Sequence, residues 1–274
     1  MSTLTITPAK TGGPARSYAF RDTMTMLRRN IKHMQRYPGM TVSVLVMPLL
    51  MLLLFVYVFG GAIGAGIGAG SDRGDYINYL IPGIILMAAT SGSVPIAVSV
   101  CTDMTEGIVN RFRTMSISRG SIIAGHVLGN LIQTFAVLVV VTGVALAIGF
   151  RPNASPVEWI AAFGLLLFLA FGLSYVCAAM GMGAKTVEAA SNGPLPFTFL
   201  PFLGSAIVTP DSMPTVLRWF AEYQPFTPIN ETLRGLMLGT SIGNDGWIAL
   251  AWCTGLAVLG YLWSRSVFNR EVTR

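Results

Sequence analysis

Few side chains in this 274-residue chain have the chemistry to act on a substrate. It carries twelve carboxylates, two histidines and three cysteines, and only 11% of its residues are charged. There is no H-E-x-x-H, no G-x-S-x-G and no cluster of carboxylates. Cys101, Cys177 and Cys253 lie in or at the ends of apolar runs without metal-ligand spacing, so they read as small buried residues. No G-x-x-x-x-G-K-[ST] loop is present to cradle phosphates, and the chain has no recognisable ATP site. His33 falls on a basic segment, where a solvated or headgroup-facing role is expected. His126 stands near one end of a long uncharged run, where an ordinary polar contact is the simpler reading and a proton relay the sharper one.

Two stretches gather most of the remaining polar chemistry. "TEGIVNRFRTMSISRG", residues 105–120, holds Glu106, Arg111, Arg113 and Arg119 between two strongly apolar regions. "TPDSMPTVLRWFAEYQPFTPINETLRGLML", residues 209–238, mixes charge, aromatic rings and proline. Basic side chains beside apolar ones suit recognition and anchoring. They do not suit bond making.

The elements that carry these stretches are membrane spans. Hydrophobic residues make up 53% of the chain, and a soluble domain usually has about 25% charged residues. Uncharged runs of about 20 residues or more are long enough to cross the bilayer. Six spans are predicted, at about 40–60, 76–101, 122–148, 159–181, 189–208 and 247–264. The second contains Pro82 and Pro95, which are expected to kink it. The first is too long for a signal h-region and is expected to remain as a helix.

Residues 1–17, rich in Thr, Pro and Gly, predict a disordered tail. Over residues 18–38, Phe20, Met24, Leu27, Ile31 and Met34 recur at helical spacing, with Arg21, Arg28, Arg29, Lys32 and Arg36 mostly elsewhere. This predicts a basic amphipathic helix lying among lipid headgroups; the bland alternative is packing on a soluble partner. In the 209–238 stretch two short helices are predicted. Asp211 and Ser212 precede Pro214 as caps, the chain breaks at Gln224-Pro225, and Thr227 is the expected N-cap with Pro228 at the first helical position. Val216, Trp219, Phe220 and Tyr223 form one aromatic face. The pair is expected to dip part-way into one leaflet, where only helix or neighbouring protein can satisfy the backbone.

The net charge of +6 needs no nucleic acid to explain it. With the N-terminus inside, fourteen Lys/Arg fall on inner segments and four on outer ones, namely Arg73, Arg151, Arg218 and Arg234. That bias predicts both termini in the cytoplasm. Asp103, Glu106 and Glu188 all fall at inner ends of spans, which disfavours a proton-driven carrier. Sodium sites built from backbone oxygens stay open.

The 213–234 stretch resembles the terminal signature of ABC-2-type permeases, the membrane subunits of ATP-driven exporters. The matching residues are Met213-Pro214, Leu217, Trp219, Pro225, Thr227-Pro228, Glu231 and Arg234. Many relatives have Asn-Pro at Gln224-Pro225, and Gln-Pro followed by Thr-Pro is similar to daunorubicin-resistance-type permeases. Residues 106–130 are similar to the family's first cytoplasmic loop, although Ile108-Val109 stands where many members carry Thr or Ser. The resemblance covers about residues 18–270. It implies an all-α membrane fold of six spans, with the transmembrane domain over 39–270 and an N-terminal connecting helix before it. It also implies a coupling helix seated on an ATPase, through Glu106, Gly107, Arg111, Phe112, Arg113, Met115, Ser118 and Arg119. The outer helix pair would be an extracellular gate, with Met213, Pro214, Trp219, Gln224, Pro225, Thr227, Pro228, Glu231 and Arg234.

The implied partners are two copies of an ATP-binding subunit, a second permease (identical or homologous) and membrane lipids. The chain itself would hold no cofactor, with ATP and magnesium on the partner ATPase, and would not be an enzyme. An amphipathic small molecule or lipid is the expected cargo. The alternatives are export of a polysaccharide or glycoconjugate, a membrane enzyme acting on lipids, and an anchor for a signalling ATPase.

The charge bias sets a direct test of orientation. In a variant lacking the native cysteines, single cysteines at Ser71 and Asn153 should react with impermeant maleimide in intact cells, and one at Ser118 only after lysis. Labelling at position 118 in intact cells would reverse the assignment.

Overall fold

The computed structural model describes residues 15–36, 38–60, 73–106, 119–207 and 213–271. Helix is the only regular secondary structure among those residues, joined by short turns and irregular segments, with no strand among them. In chain order the helices are α1 (Ala15–Arg36), α2 (Pro38–Leu53), α3 (Arg73–Ser91), α4 (Val94–Thr105), α5 (Arg119–Ile148), α6 (Pro156–Gly183), α7 (Val187–Asn192), α8 (Leu195–Phe199), α9 (Thr215–Tyr223), α10 (Phe226–Leu238) and α11 (Asp245–Glu271). A π-helical turn, Leu54–Val58, continues α2, and a 3-10 turn, Leu200–Leu203, continues α8.

Four of the helical stretches are long and apolar enough to cross a membrane: Gly74–Thr105, Gly120–Ile148, Pro156–Gly183 and Asp245–Phe268. Val44–Val58 is a shorter apolar helix. Local chemistry sets several ends. Ser155 and Glu158 form a capping box at the start of α6, with Pro156 in its first turn. At the end of α5 Gly149 takes φ 122°, and the Phe150 and Gly149 amides close on the carbonyls of Ala145 and Leu146. Gly239 ends α10 with φ 73° and bonds back to Gly235. Both are left-handed helix ends that favour glycine.

Three sequence expectations change. Helix α1 starts at Ala15, inside the stretch read as a tail; residues 1–14 lie outside the described residues. The second span breaks at Gly92 and Ser93, with Pro95 in the first turn of α4 and Pro82 within α3. The expected fifth span is not one helix. Pro194, Pro196 and Pro201 lack an amide proton, and with Gly193 and Gly204 they divide the stretch into α7, α8 and the 3-10 turn.

Helix α3 is the centre of the bundle. Leu80, Ile81, Ile84, Ile85 and Leu86 are fully buried in one apolar cluster with residues of α5, α6, α10 and α11. Around it, α2, α5 and α11 turn apolar side chains outward, among them Leu50, Phe135, Val139, Trp252 and Leu259. So much exposed hydrocarbon-like surface would drive aggregation in water. Lipid is its solvent, and the chain is a multi-pass membrane protein.

Tight helix contacts hold the bundle together, since packing replaces the hydrophobic effect between spans. A methyl group at Gly181 of α6 would collide with the Ala97 backbone of α4. Gly164, on the same helix, has no atom in that space. Gly181→Ala should therefore lower stability by about 1–3 kcal/mol through overpacking, while Gly164→Ala should not. Thermal unfolding in detergent measures both; equal melting temperatures would show that α4 and α6 are not in this contact.

Candidate functional site

The 209–238 stretch forms the helix pair α9–α10, broken where Gln224 adopts an extended conformation ahead of Pro225. Helix α9 is amphipathic, and its aromatic face points away from the protein: Val216, Trp219, Phe220 and Tyr223 are exposed, Trp219 by 65%. The Trp219 and Tyr223 rings lie 5.4 Å apart. Arg218 and Glu222 pair at 2.8 Å on the solvated side, and Ala221 is the buried contact. Met213 and Pro214 precede the helix, with Pro214 at its N-cap; the expected caps Asp211 and Ser212 lie outside the described residues.

Thr227 does not cap α10. The helix starts at Phe226 with Pro225 at the N-cap, and the Thr227 hydroxyl donates to the Ala221 carbonyl at 2.5 Å. It fastens the second helix to the first. Pro228 is buried within the first turn of α10.

Residues 227, 230, 231 and 234 fall at helical spacing, so α10 presents its polar groups together. Two of them, Asn230 and Arg234, converge on the carbonyl of Ser205, in the segment after the 3-10 turn. Asn230 Nδ2 donates to it at 3.0 Å, Arg234 Nη2 at 3.0 Å and the Tyr79 hydroxyl at 3.4 Å. Asn230 Nδ2 also reaches Ser205 Oγ at 3.1 Å. Arg234 Nη1 grips both Glu231 oxygens at 2.7 and 2.8 Å, and its guanidinium carbon sits 3.9 Å from the centre of the Tyr79 ring. Arg234 thus joins α10, α3 and the broken segment at once. Gln224, 4% exposed, packs its amide against Gly204, where any side chain would strike Gln224 Nε2 and Thr227 Oγ1. The Gln224 amide has no hydrogen-bond partner among the described residues.

Of the expected gate residues, Gln224, Thr227, Glu231 and Arg234 come together, while Trp219 and Pro214 stand apart on the exposed face. Tyr79, Ser205 and Asn230 belong to the same cluster and were missed. Asn230 was findable, as a polar residue in register with Thr227 and Arg234. Ser205 contributes mainly a backbone carbonyl, and residue type carries no signal for that.

Glu106 ends α4 as an exposed residue, and Arg119 opens α5. Gly107, Arg111, Phe112, Arg113, Met115 and Ser118 lie outside the described residues. The sequence reading also missed a polar cluster around the buried Asp103, near the end of α4. Arg29 Nη2 donates to Asp103 Oδ1 at 2.9 Å, and His126 Nε2 stands 3.0 Å from Asp103 Oδ2. The two clusters occupy opposite ends of the α3–α4 span.

The family model for the ABC-2 type transporter matches residues 21–238. The chain belongs to the ABC-2 type transporter family. Both clusters of this ABC-2 protein fall inside the matched region, and α11 falls outside it. The chain is similar to the daunorubicin resistance ABC transporter permease protein DrrB1 of Streptomyces coeruleorubidus, 28% identical over 260 residues, 94% of this chain and 90% of that one. It is also similar to the probable doxorubicin resistance ABC transporter permease protein DrrC of Mycobacterium tuberculosis, 21% identical over 180 residues, 66% of this chain and 65% of that one.

In this ABC-2 chain, Arg234→Met should destabilise the protein by about 2 kcal/mol, since charge-assisted hydrogen bonds contribute about 1.5–3 kcal/mol. A double-mutant cycle with Tyr79→Leu should show coupling of about 0.5–2 kcal/mol from the cation–π contact. Strictly additive losses in thermal unfolding would remove Tyr79 from the cluster.

Proposed function

We propose that this chain is the permease subunit of an ATP-driven exporter in a bacterial plasma membrane. The observation that carries this reading is the ABC-2 family match over residues 21–238 of a chain that has no phosphate loop of its own. Energy then comes from a separate ATPase, two copies of which would serve this permease and a second, identical or homologous, one. Both termini lie in the cytoplasm in this reading, as the basic bias predicts. Segment 106–119 seats on the ATPase, with its charges setting register and Phe112 and Met115 filling a pocket. The α9–α10 pair gates the outer end. ATP-driven closure moves the inner segments and tilts the spans as rigid bodies.

The cargo is an amphipathic small molecule or a lipid. Supporting this, the spans offer apolar and aromatic surface with little charge, and the names of both relatives specify drug resistance.

Purified alone, the chain should neither bind nor hydrolyse ATP; in complex with its ATPase, hydrolysis and cargo efflux from proteoliposomes should rise together. Glu106→Ala and Arg111→Ala should loosen the ATPase by about 30-fold or more, because removing one partner of a desolvated charge pair costs about 2–5 kcal/mol. A solvated loop would lose only about 0–1 kcal/mol. Wild-type co-purification and wild-type transport in both variants would remove segment 106–119 from the interface.

A further inference from the structure

The Arg29–Asp103–His126 cluster lies at the opposite end of the α3–α4 span from the polar cluster around Ser205. Asp103 and His126 are each only 7% exposed. A carboxylate this deep at the end of an apolar bundle is costly unless its oxygens are paired. Here each oxygen has its own cationic or N–H partner, from a different helix: Arg29 on α1 and His126 on α5. A carboxylate can only accept, so His126 Nε2 carries the hydrogen. Nδ1 faces the Ser99 hydroxyl of α4 at 3.4 Å, which fixes the ring from its other side. Beside the cluster, Asn30 Nδ2 donates to the Gly125 carbonyl at 3.0 Å, and Gly125 and Gly129 let Met26 and Asn30 approach the α5 backbone.

The position of this cluster gives it a consequence. Asp103 lies three residues before Glu106, and His126 lies seven after Arg119, so they stand at the two roots of segment 107–118. Helix α1 lies along α5 and has no comparable packing on α4; Asp103 makes that connection. Helix α4 continues the span of α3 beyond the interruption at Gly92 and Ser93, and its far end carries Asp103. Close contact with α6 at Gly181 fixes one side of α4; toward α5, Ile96 and Val100 share an apolar cluster with Ile123 and Val127, and the carboxylate adds a directional polar tie to it.

We propose that Asp103 is a positioning residue for energy coupling: by bridging Arg29 and His126 it locks α1, α4 and the start of α5 into one block, so that movement of segment 107–118 reaches the spans undiminished. The coupling step rests on the exporter reading above. The geometric step does not. Loss of the bridge lets the two roots of the segment move independently, and ATP hydrolysis then proceeds with less transport. Residues along a coupling path shift linkage by about 0.5–2 kcal/mol, about 2- to 30-fold.

Two measurements test this separately. The first uses the isolated full chain, with Cys101, Cys177 and Cys253 replaced and spin labels at Thr105→Cys and Gly120→Cys. Both positions are exposed, and a side chain at Gly120 meets no atom within 4 Å. The distance distribution between the labels should be narrow, broaden in Asp103→Asn, and narrow again in Asp103→Glu, which returns a carboxylate to both partners. The second uses the complex with its ATPase. Asp103→Asn should keep ATPase association and hydrolysis while transport per ATP falls by about 2- to 30-fold, with partial recovery in Asp103→Glu.

An unchanged distance distribution in Asp103→Asn would overturn the proposal whatever the ATPase does. So would a parallel fall in folded protein, hydrolysis and transport at constant transport per ATP, the signature of a purely structural ion pair. A broadened distribution in a chain whose wild-type complex neither hydrolyses ATP nor transports would leave the bridge standing and bring down the exporter reading.

Discussion

A peptide group in hydrocarbon has no water to bond, so each amide and carbonyl must be satisfied by the protein. Helix solves this within a segment, and the long uncharged runs take that solution in α5, α6 and α11. The constraint becomes informative where helix fails. After Pro194, Pro196 and Pro201 divide the stretch that follows α7, backbone groups are released within the bundle. The Ser205 carbonyl shows how this is met. Tyr79, Asn230 and Arg234 all donate to it, so the polar cluster at that end is the counterpart of a broken helix.

The same requirement governs the charged side chains. Arg234 lies against Glu231 and the Tyr79 ring, and Asp103 lies between Arg29 and His126. A charge held this way specifies geometry more than it stabilises, because desolvation offsets most of the attraction. Each cluster joins three elements through polar contacts. At one end they are α3, α10 and the segment after the 3-10 turn; at the other, α1, α4 and α5. The apolar middle, from Leu80 to Leu86 of α3, is uniform by comparison and carries no such instruction.

Helix α9 shows the constraint from outside. Its aromatic face has no protein partner among the described residues, and Trp and Tyr are residues that favour the membrane interface. Thr227 and the extended Gln224 hold it at a fixed angle to α10, which is itself buried on Pro228, Ile229 and Leu233. A short surface helix is thereby joined to a helix buried in the bundle.

Much of this was legible in the sequence because it is local. Uncharged run length gave the apolar helices, and the break at Gln224-Pro225 followed from two adjacent residues. Ser155 with Glu158, and glycines 149 and 239, are equally local, acting within one turn of the ends they set, although the sequence reading did not single them out. What the sequence left open involves residues far apart in the chain. Arg29 and Asp103 are 74 positions apart, Tyr79 and Ser205 are 126 apart, and no periodicity links them. Thr227 had the type and place of an N-cap, yet its hydroxyl found the Ala221 carbonyl six residues back once α9 folded against α10. Residue type determined which groups had to be satisfied. Only the packing of the helices decided by whom, because a buried donor takes whichever acceptor the tertiary fold brings within reach.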